Sequence, residues 1–134
     1  MTNQEVSATI NSYHNKIINC QNQMQKFIKD IQKLEDVQRK LKIIQDDFLL
    51  QQDQRRQSLE NFRHCTVNPR LVARCHSKIE RIIYHNEFDD AFSGLSEANK
   101  KIKNKIGCID QEIKSLKNEI SYCHSQINHL NTLS

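Results

Sequence analysis

Apolar side chains recur every three or four residues over two long stretches of this chain. The first series runs Val6, Ile10, Tyr13, Ile17, Cys20, Met24, Phe27, Ile31, Leu34, Val37, Leu41, Ile44 and Phe48. The second runs Phe92, Leu95, Ala98, Ile102, Ile106, Ile109, Ile113, Leu116, Ile120, Cys123, Ile127 and Leu130. Steps that average near 3.5 keep one narrow stripe of an α-helix turned toward a neighbouring helix. Two such stripes with one proline between them predict an all-α protein, an antiparallel helical hairpin with coiled-coil packing. The expected organisation is a single domain over 1–134, with arm one at about 5–63, a turn at 64–69 and arm two at about 70–133.

Local signals refine these bounds. Thr2-Asn3-Gln4-Glu5 is a capping-box pattern that opens the first helix. The step from Leu34 to Val37 is three where four is due, which reads as a stammer. Beyond Phe48 the stripe dissolves into Gln51–Gln57, and a helix with an exposed distal third is expected there. Arg63–Pro69 is the break: Pro69 disfavours helix at Asn68, and Thr66, Val67 and Asn68 are poor helix formers. Helix restarts with Asn68 as N-cap and Pro69 at the first helical position. A short stripe of Val72, Cys75, Ile79 and Ile82 follows. Tyr84–Gly94 reads through as helix, because Phe88 and Phe92 stand four apart and continue into Leu95. The alternative is a turn at His85-Asn86 with Asn86 capping a new helix. Gly94 and Gly107 each weaken a helix and leave room for another backbone to approach.

Composition narrows the class. Only 2 Gly and 1 Pro occur, too little punctuation for a β fold. Hydrophobic residues make up 37% and the mean hydropathy is −0.76, values that suit a two-stranded coil with most of its surface in water. The formal net charge is +4, but Lys and Arg alternate with Asp and Glu instead of forming a basic face. Pairs such as Glu35–Arg39 and Asp36–Lys40 are expected on a solvated flank. The cluster Lys100, Lys101, Lys103 and Lys105 reads as another such flank, so no nucleic-acid partner is implied. The polar N-terminus predicts no Sec-type signal peptide, and no apolar run approaches a membrane span, so synthesis in the cytoplasm without membrane insertion is expected.

Candidate chemistry is sparse. Five cysteines, an odd number, read as free thiols, with Cys20 and Cys123 as packing residues on the two stripes. Cys108 sits one residue before the stripe. His64-Cys65 and Cys75-His76 flank the turn with zinc-ligand chemistry, but adjacent residues rarely both reach one ion, and Cys75 belongs to a stripe. The cluster therefore reads as incidental, with no metal and no cofactor. Glu87, Asp89 and Asp90 stand beside His85, yet a thin hairpin offers no pocket to separate carboxyl pKa values. No phosphate loop, nucleophile elbow or His-Glu-x-x-His occurs. The expectation is a non-enzyme.

Several segments together resemble a known family. Ile31 through Leu34, Val37, Leu41 and Ile44 to Asp47-Phe48 resembles the first helix of the YwqH-like small proteins of Gram-positive bacteria. Phe88-Asp89-Asp90-Ala91-Phe92 is similar to the Phe-Asp-Asp run that opens the family's later helix. Lys105 through Ile120 resembles its C-terminal Ile/Leu coil. The family commonly carries a Trp-x-Gly ahead of Phe-Asp-Asp, whereas this chain has no Trp and reads Ile82–Glu87 there. Tyr84 would take the aromatic role and Asn86 the turn position. The resemblance implies a helical companion, a chaperone or adaptor, for an LXG-domain toxin of a type VII secretion system. Such a companion packs against the toxin's N-terminal helices, together with a second small helical protein in some assemblies, and export alongside the partner needs no cleaved signal. The alternative is an unrelated, self-associating coiled-coil adaptor or scaffold. Ile18, Ile28, Ile43, Leu49, Leu50 and Ile83 widen the apolar face beyond the stripe. Phe48, Leu49, Phe88 and Phe92 are accordingly the expected anchors for a partner helix.

Overall fold

The computed structural model describes residues 2–64, 68–84 and 87–133. The described residues form three helices: α1 over Asn3–Arg63, α2 over Pro69–Tyr84 and α3 over Glu87–Leu133. Helix accounts for 98% of the described structure, and no strand occurs among the described residues. The fold is all-α, as the stripes predict.

The helix starts are built from side chains the sequence supplies. The Thr2 hydroxyl accepts from the Glu5 amide at 3.2 Å, and the Glu5 carboxylate accepts from the Thr2 amide at 3.1 Å. This reciprocal box satisfies two amides that the first turn would otherwise leave orphaned. At α2, the Asn68 side-chain oxygen accepts from the Leu71 amide at 3.3 Å, and its carbonyl accepts from the Val72 amide at 2.9 Å. Pro69 then occupies the first helical position, where a missing N–H costs nothing. The turn residues 65–67 lie outside the described residues. So do His85 and Asn86. The described part of α2 ends at Tyr84 and that of α3 opens at Glu87, so the choice between a helix read through Tyr84–Gly94 and a turn at His85-Asn86 lies outside the described residues.

The chain divides into two compact units. The first comprises residues 1–35 and 103–134, the start of α1 against the end of α3. Its core is Ile17, Cys123 and Ile127, with Ile10, Tyr13 and Ile120 packed around it. Val6, Cys20, Ile109, Ile113 and Leu130 are also buried. Residue numbers rise along α1 as they fall along α3: Ile17 meets Ile127 and Cys123, and Cys20 meets Cys123 and Glu119. The pairing is antiparallel. Each aliphatic side chain so buried contributes about 2 kcal/mol, which makes this unit the well-packed one.

The second unit, residues 36–102, holds the rest of α1, all of α2 and the start of α3. Here the stripe departs from the expected stammer. Gln38, Leu41, Gln45 and Phe48 are the half-buried positions, and Gln52 and Leu59 are buried. Val37 and Ile44 stand out in solvent, Val37 at 43% exposure against 3% for Gln52. The alternation of four and three therefore continues without interruption, with glutamines at three positions seven residues apart. A strict repeat keeps one line of the helix on its neighbour, and here that geometry outweighs the local preference for Val37 and Ile44. The polar segment after Phe48 is likewise not wholly exposed, because Gln52 and Leu59 turn inward. In α3 the half-buried Asn99 shares the stripe with Ala98.

On the solvated flank, Asp36 accepts from both Lys40 at 3.1 Å and Arg39 at 3.2 Å. Arg39 thus reaches Asp36, not the expected Glu35. Hydrogen bonds from Lys40 first and Arg39 second hold the Asp36 carboxyl below the usual carboxylate range. Lys100, Lys101, Lys103 and Lys105 are all exposed, beside half-buried Ile102 and Ile106. At Gly94 and Gly107 an added Cβ would meet nothing within 4 Å. Among the described residues no neighbouring backbone exploits either glycine.

Candidate functional site

The four expected anchors all lie in the second unit, and three of them come together. Phe48 on α1 stacks on Phe88 of α3 with ring centroids 4.8 Å apart and planes 5° from parallel. Phe88 in turn stacks on Phe92 at 6.0 Å and 12°. All three rings are half-buried. Such a run of offset aromatics stabilises beyond the area it buries. Part of the aromatic surface is therefore spent on joining α1 to α3.

Leu49 is not in this stack. It is 43% exposed, one residue round the helix from Phe48. Ile43, Ile44 and Leu50 are exposed on the same stretch of α1, and Ile18 and Ile28 are exposed in the first unit. The side chain of Ile83 lies outside the described part. At 3.6 residues per turn, these positions do not fall on one face. Leu49 flanks the stripe on one side, Val37 and Ile44 flank it on the other, and Ile43 and Leu50 point away from it. Apolar residues thus surround the middle of α1 on several sides, where an ordinary surface helix is polar.

Two depressions of about 440 Å³ lie along α1 and α2. One is lined by Leu59, Phe62 and Ile79 with Gln51, Gln54, Arg55 and Ser58. The other is lined by Val72, Ala73, His76 and Glu80, with Arg63, Pro69 and Ser77. His76 is the most enclosed ionisable group there, its side chain 12% exposed. Its Nδ1 lies 3.4 Å from the Glu80 carboxylate, and its Nε2 lies 3.8 Å from that of Glu60 on α1 without a hydrogen-bond partner. The imidazole thus sits between carboxylates of α2 and α1.

Of the four residues with zinc-ligand chemistry, three fall among the described residues. His64 is exposed, Cys75 is half-buried, His76 faces the two glutamates, and Cys65 lies outside the described residues. Among the described residues no group of three or more His, Cys, Asp or Glu is placed to hold a metal. Cys20, Cys75, Cys108 and Cys123 are free thiols. Burial, then the Glu119 carboxylate and its hydrogen bond, push the Cys20 thiol above the ordinary thiol range. That is the opposite of activation, since the thiolate is the nucleophile. Among the described residues no helix is long and apolar enough to cross a membrane.

Comparison with protein-family models, with characterised proteins and with solved structures finds no match to this chain.

Two features of the second unit are not announced by its apolar pattern. One is the glutamine line Gln38, Gln45 and Gln52, whose only signal is the uninterrupted heptad spacing from Leu34. The other is the Glu60–His76–Glu80 arrangement, which joins residues of two helices. Glu80 and His76 stand four apart on α2, and no local pattern points to Glu60.

Proposed function

We propose that this protein is a non-enzymatic helical companion that packs against the N-terminal helices of an LXG-domain toxin and presents it for type VII secretion. It binds its partner in the cytoplasm and delivers it to the secretion machinery. The observation that carries this reading is the apolar surface left open on α1 in the second unit. Leu49 stays in water, and the Phe48 ring next to it in the chain, with Phe88 and Phe92 stacked in series on it, is covered only in part. Exposed apolar patches of this kind mark interaction sites, and partly covered aromatics are the usual anchors once a partner helix seals them. The first unit is the well-packed one, and the second unit carries the open apolar surface. The resemblance to the YwqH-like proteins supplies the identity of the partner.

The test is co-purification with a tagged LXG-type helical domain encoded beside this protein. Wild type should be retained, and Leu49→Asp should be lost while its circular dichroism stays helical. Leu49 is the cleanest probe because its side chain is exposed, whereas Phe88 also holds α1 to α3. Retention of Leu49→Asp at the wild-type level would sink the reading.

A further inference from the structure

Helix α2 departs from the alternation of charge sign expected along this chain. Arg70, Arg74, Lys78 and Arg81 follow one another at steps of four, four and three. At roughly 100° per residue they fall within an arc of about 80°, one cation per turn over about 16 Å. All four are exposed. Val72, which is buried, and His76, the enclosed imidazole, lie on the opposite side of the helix. The ridge therefore faces away from the contact with α1. None of the four makes an ion pair among the described residues. On α1, by contrast, Arg39, Lys40, Arg56 and Arg63 each reach an acidic residue three or four positions earlier. The one acidic residue of α2, Glu80, lies against His76.

This arrangement works against the helix that carries it. Like charges three and four apart repel along a helix surface. Arg70 also stands in the first turn, where the helix dipole favours an anion, and no acidic residue stands there to offset it. A locally unfavourable pattern with no compensation in the described fold marks a functional surface. Beside the ridge stands Leu71, 58% exposed. It lies roughly 20° round the helix from Lys78, so an aliphatic side chain borders the cations.

We propose that the Arg70, Arg74, Lys78 and Arg81 ridge, with Leu71 at its edge, is a docking surface for an anionic lipid bilayer, on which α2 lies flat. A basic helix face with an apolar margin is what adsorption at a charged membrane surface uses. The phosphates of a lipid leaflet meet the four cations in any register, and Leu71 reaches past them toward the acyl chains. A nucleic acid would answer the cations but leave Leu71 in water. An acidic protein helix would have to repeat its carboxylates once per turn. Among the described residues no helix is long and apolar enough to cross a membrane, so the contact is adsorption. The surface shares no residue with Leu49 or the aromatic stack.

Co-sedimentation of the full-length protein with vesicles tests this. Wild type should pellet with phosphatidylglycerol vesicles, stay in solution with phosphatidylcholine vesicles, and be released as salt rises. Arg74→Glu should lower the affinity about twentyfold, since each cation near an anionic leaflet is worth about fivefold and a reversal counts twice. The same substitution puts a carboxylate four residues from both Arg70 and Lys78, so helicity and melting temperature should hold or rise. Leu71→Ala should weaken binding about threefold. Lys114→Glu, the same change of net charge at an exposed position of α3, should leave binding within about twofold. A wild type that stays in solution with phosphatidylglycerol overturns the proposal, whether or not polyglutamate or duplex DNA retains it. So does an Arg74→Glu or Leu71→Ala variant that pellets as wild type does, or a Lys114→Glu variant as impaired as Arg74→Glu. The assay contains no toxin, so its failure leaves the toxin-companion reading standing, and loss of toxin binding leaves the lipid result standing.

Discussion

Phe48 and Phe88, forty residues apart in the chain, lie flat against one another with their ring centroids 4.8 Å apart. The contact fixes the start of α3 against the middle of α1, in a unit where most stripe residues are only half-buried. Phe88→Ala is expected to destabilise the protein by about 2 kcal/mol, below the value for a fully buried ring. Chemical denaturation checks this, and Phe88→Tyr should recover most of the loss.

The position of Gln38 and Gln45 on the seam predicts an inversion of the usual rule for surface and core. Gln38→Leu and Gln45→Leu should each raise stability, by about 1 kcal/mol. Val37→Ser, at a position the apolar pattern claims for the seam, should change it by less than about 0.5 kcal/mol. Thermal melts in dilute solution distinguish the two. A destabilised Val37→Ser with an indifferent Gln38→Leu would restore the stammer.

That contrast shows what is legible in the sequence. In the first unit the apolar residues and the strict heptad coincide, so the pattern alone places Ile17, Cys123 and Ile127 in the core. In the second unit they diverge: apolar identity favours Val37 and Ile44, while spacing favours Gln38 and Gln45. Helix geometry decides for spacing, because one line must face the neighbour throughout. Both caps are legible, since Thr2–Glu5 and Asn68–Pro69 are local chemistry. Phe88, Phe92 and Leu95 carry an apolar rhythm that suggests continuity of arm two, and the junction at His85-Asn86 lies outside the described residues. Among the anchors, the sequence identifies the residues but not their separate roles. Only the fold shows that Phe48, Phe88 and Phe92 stack together while Leu49 stays free.

The cap of α2 rests on one side chain. Asn68→Ala removes the acceptor for the Leu71 amide and should cost about 1 kcal/mol. Asn68→Asp and Asn68→Ser should retain most of the stability. Equilibrium unfolding of the three variants provides the comparison.

Thiol reactivity should follow burial. Cys108 is exposed and should be alkylated fast, while Cys123, 1% exposed, and Cys20 should be slow. Mass spectrometry of a timed alkylation reads the order directly. The folded Cys20 thiol has a raised pKa, so the stability linked to it is fully present below the unfolded thiol's pKa. It is lost as pH rises through the folded value. Cys20→Ala should accordingly flatten the alkaline fall in melting temperature. An unchanged alkaline slope would remove Cys20 from that account.

The central claim is that the open apolar surface of α1 is covered by the helices of a partner. Titration calorimetry of this protein with a co-encoded LXG-type helical domain, repeated at several temperatures, tests it most directly, because burial of apolar surface lowers the heat capacity. Saturable binding with a clearly negative heat-capacity change, lost in Leu49→Asp, is the expected result. No binding, or binding with a heat-capacity change near zero, would contradict it.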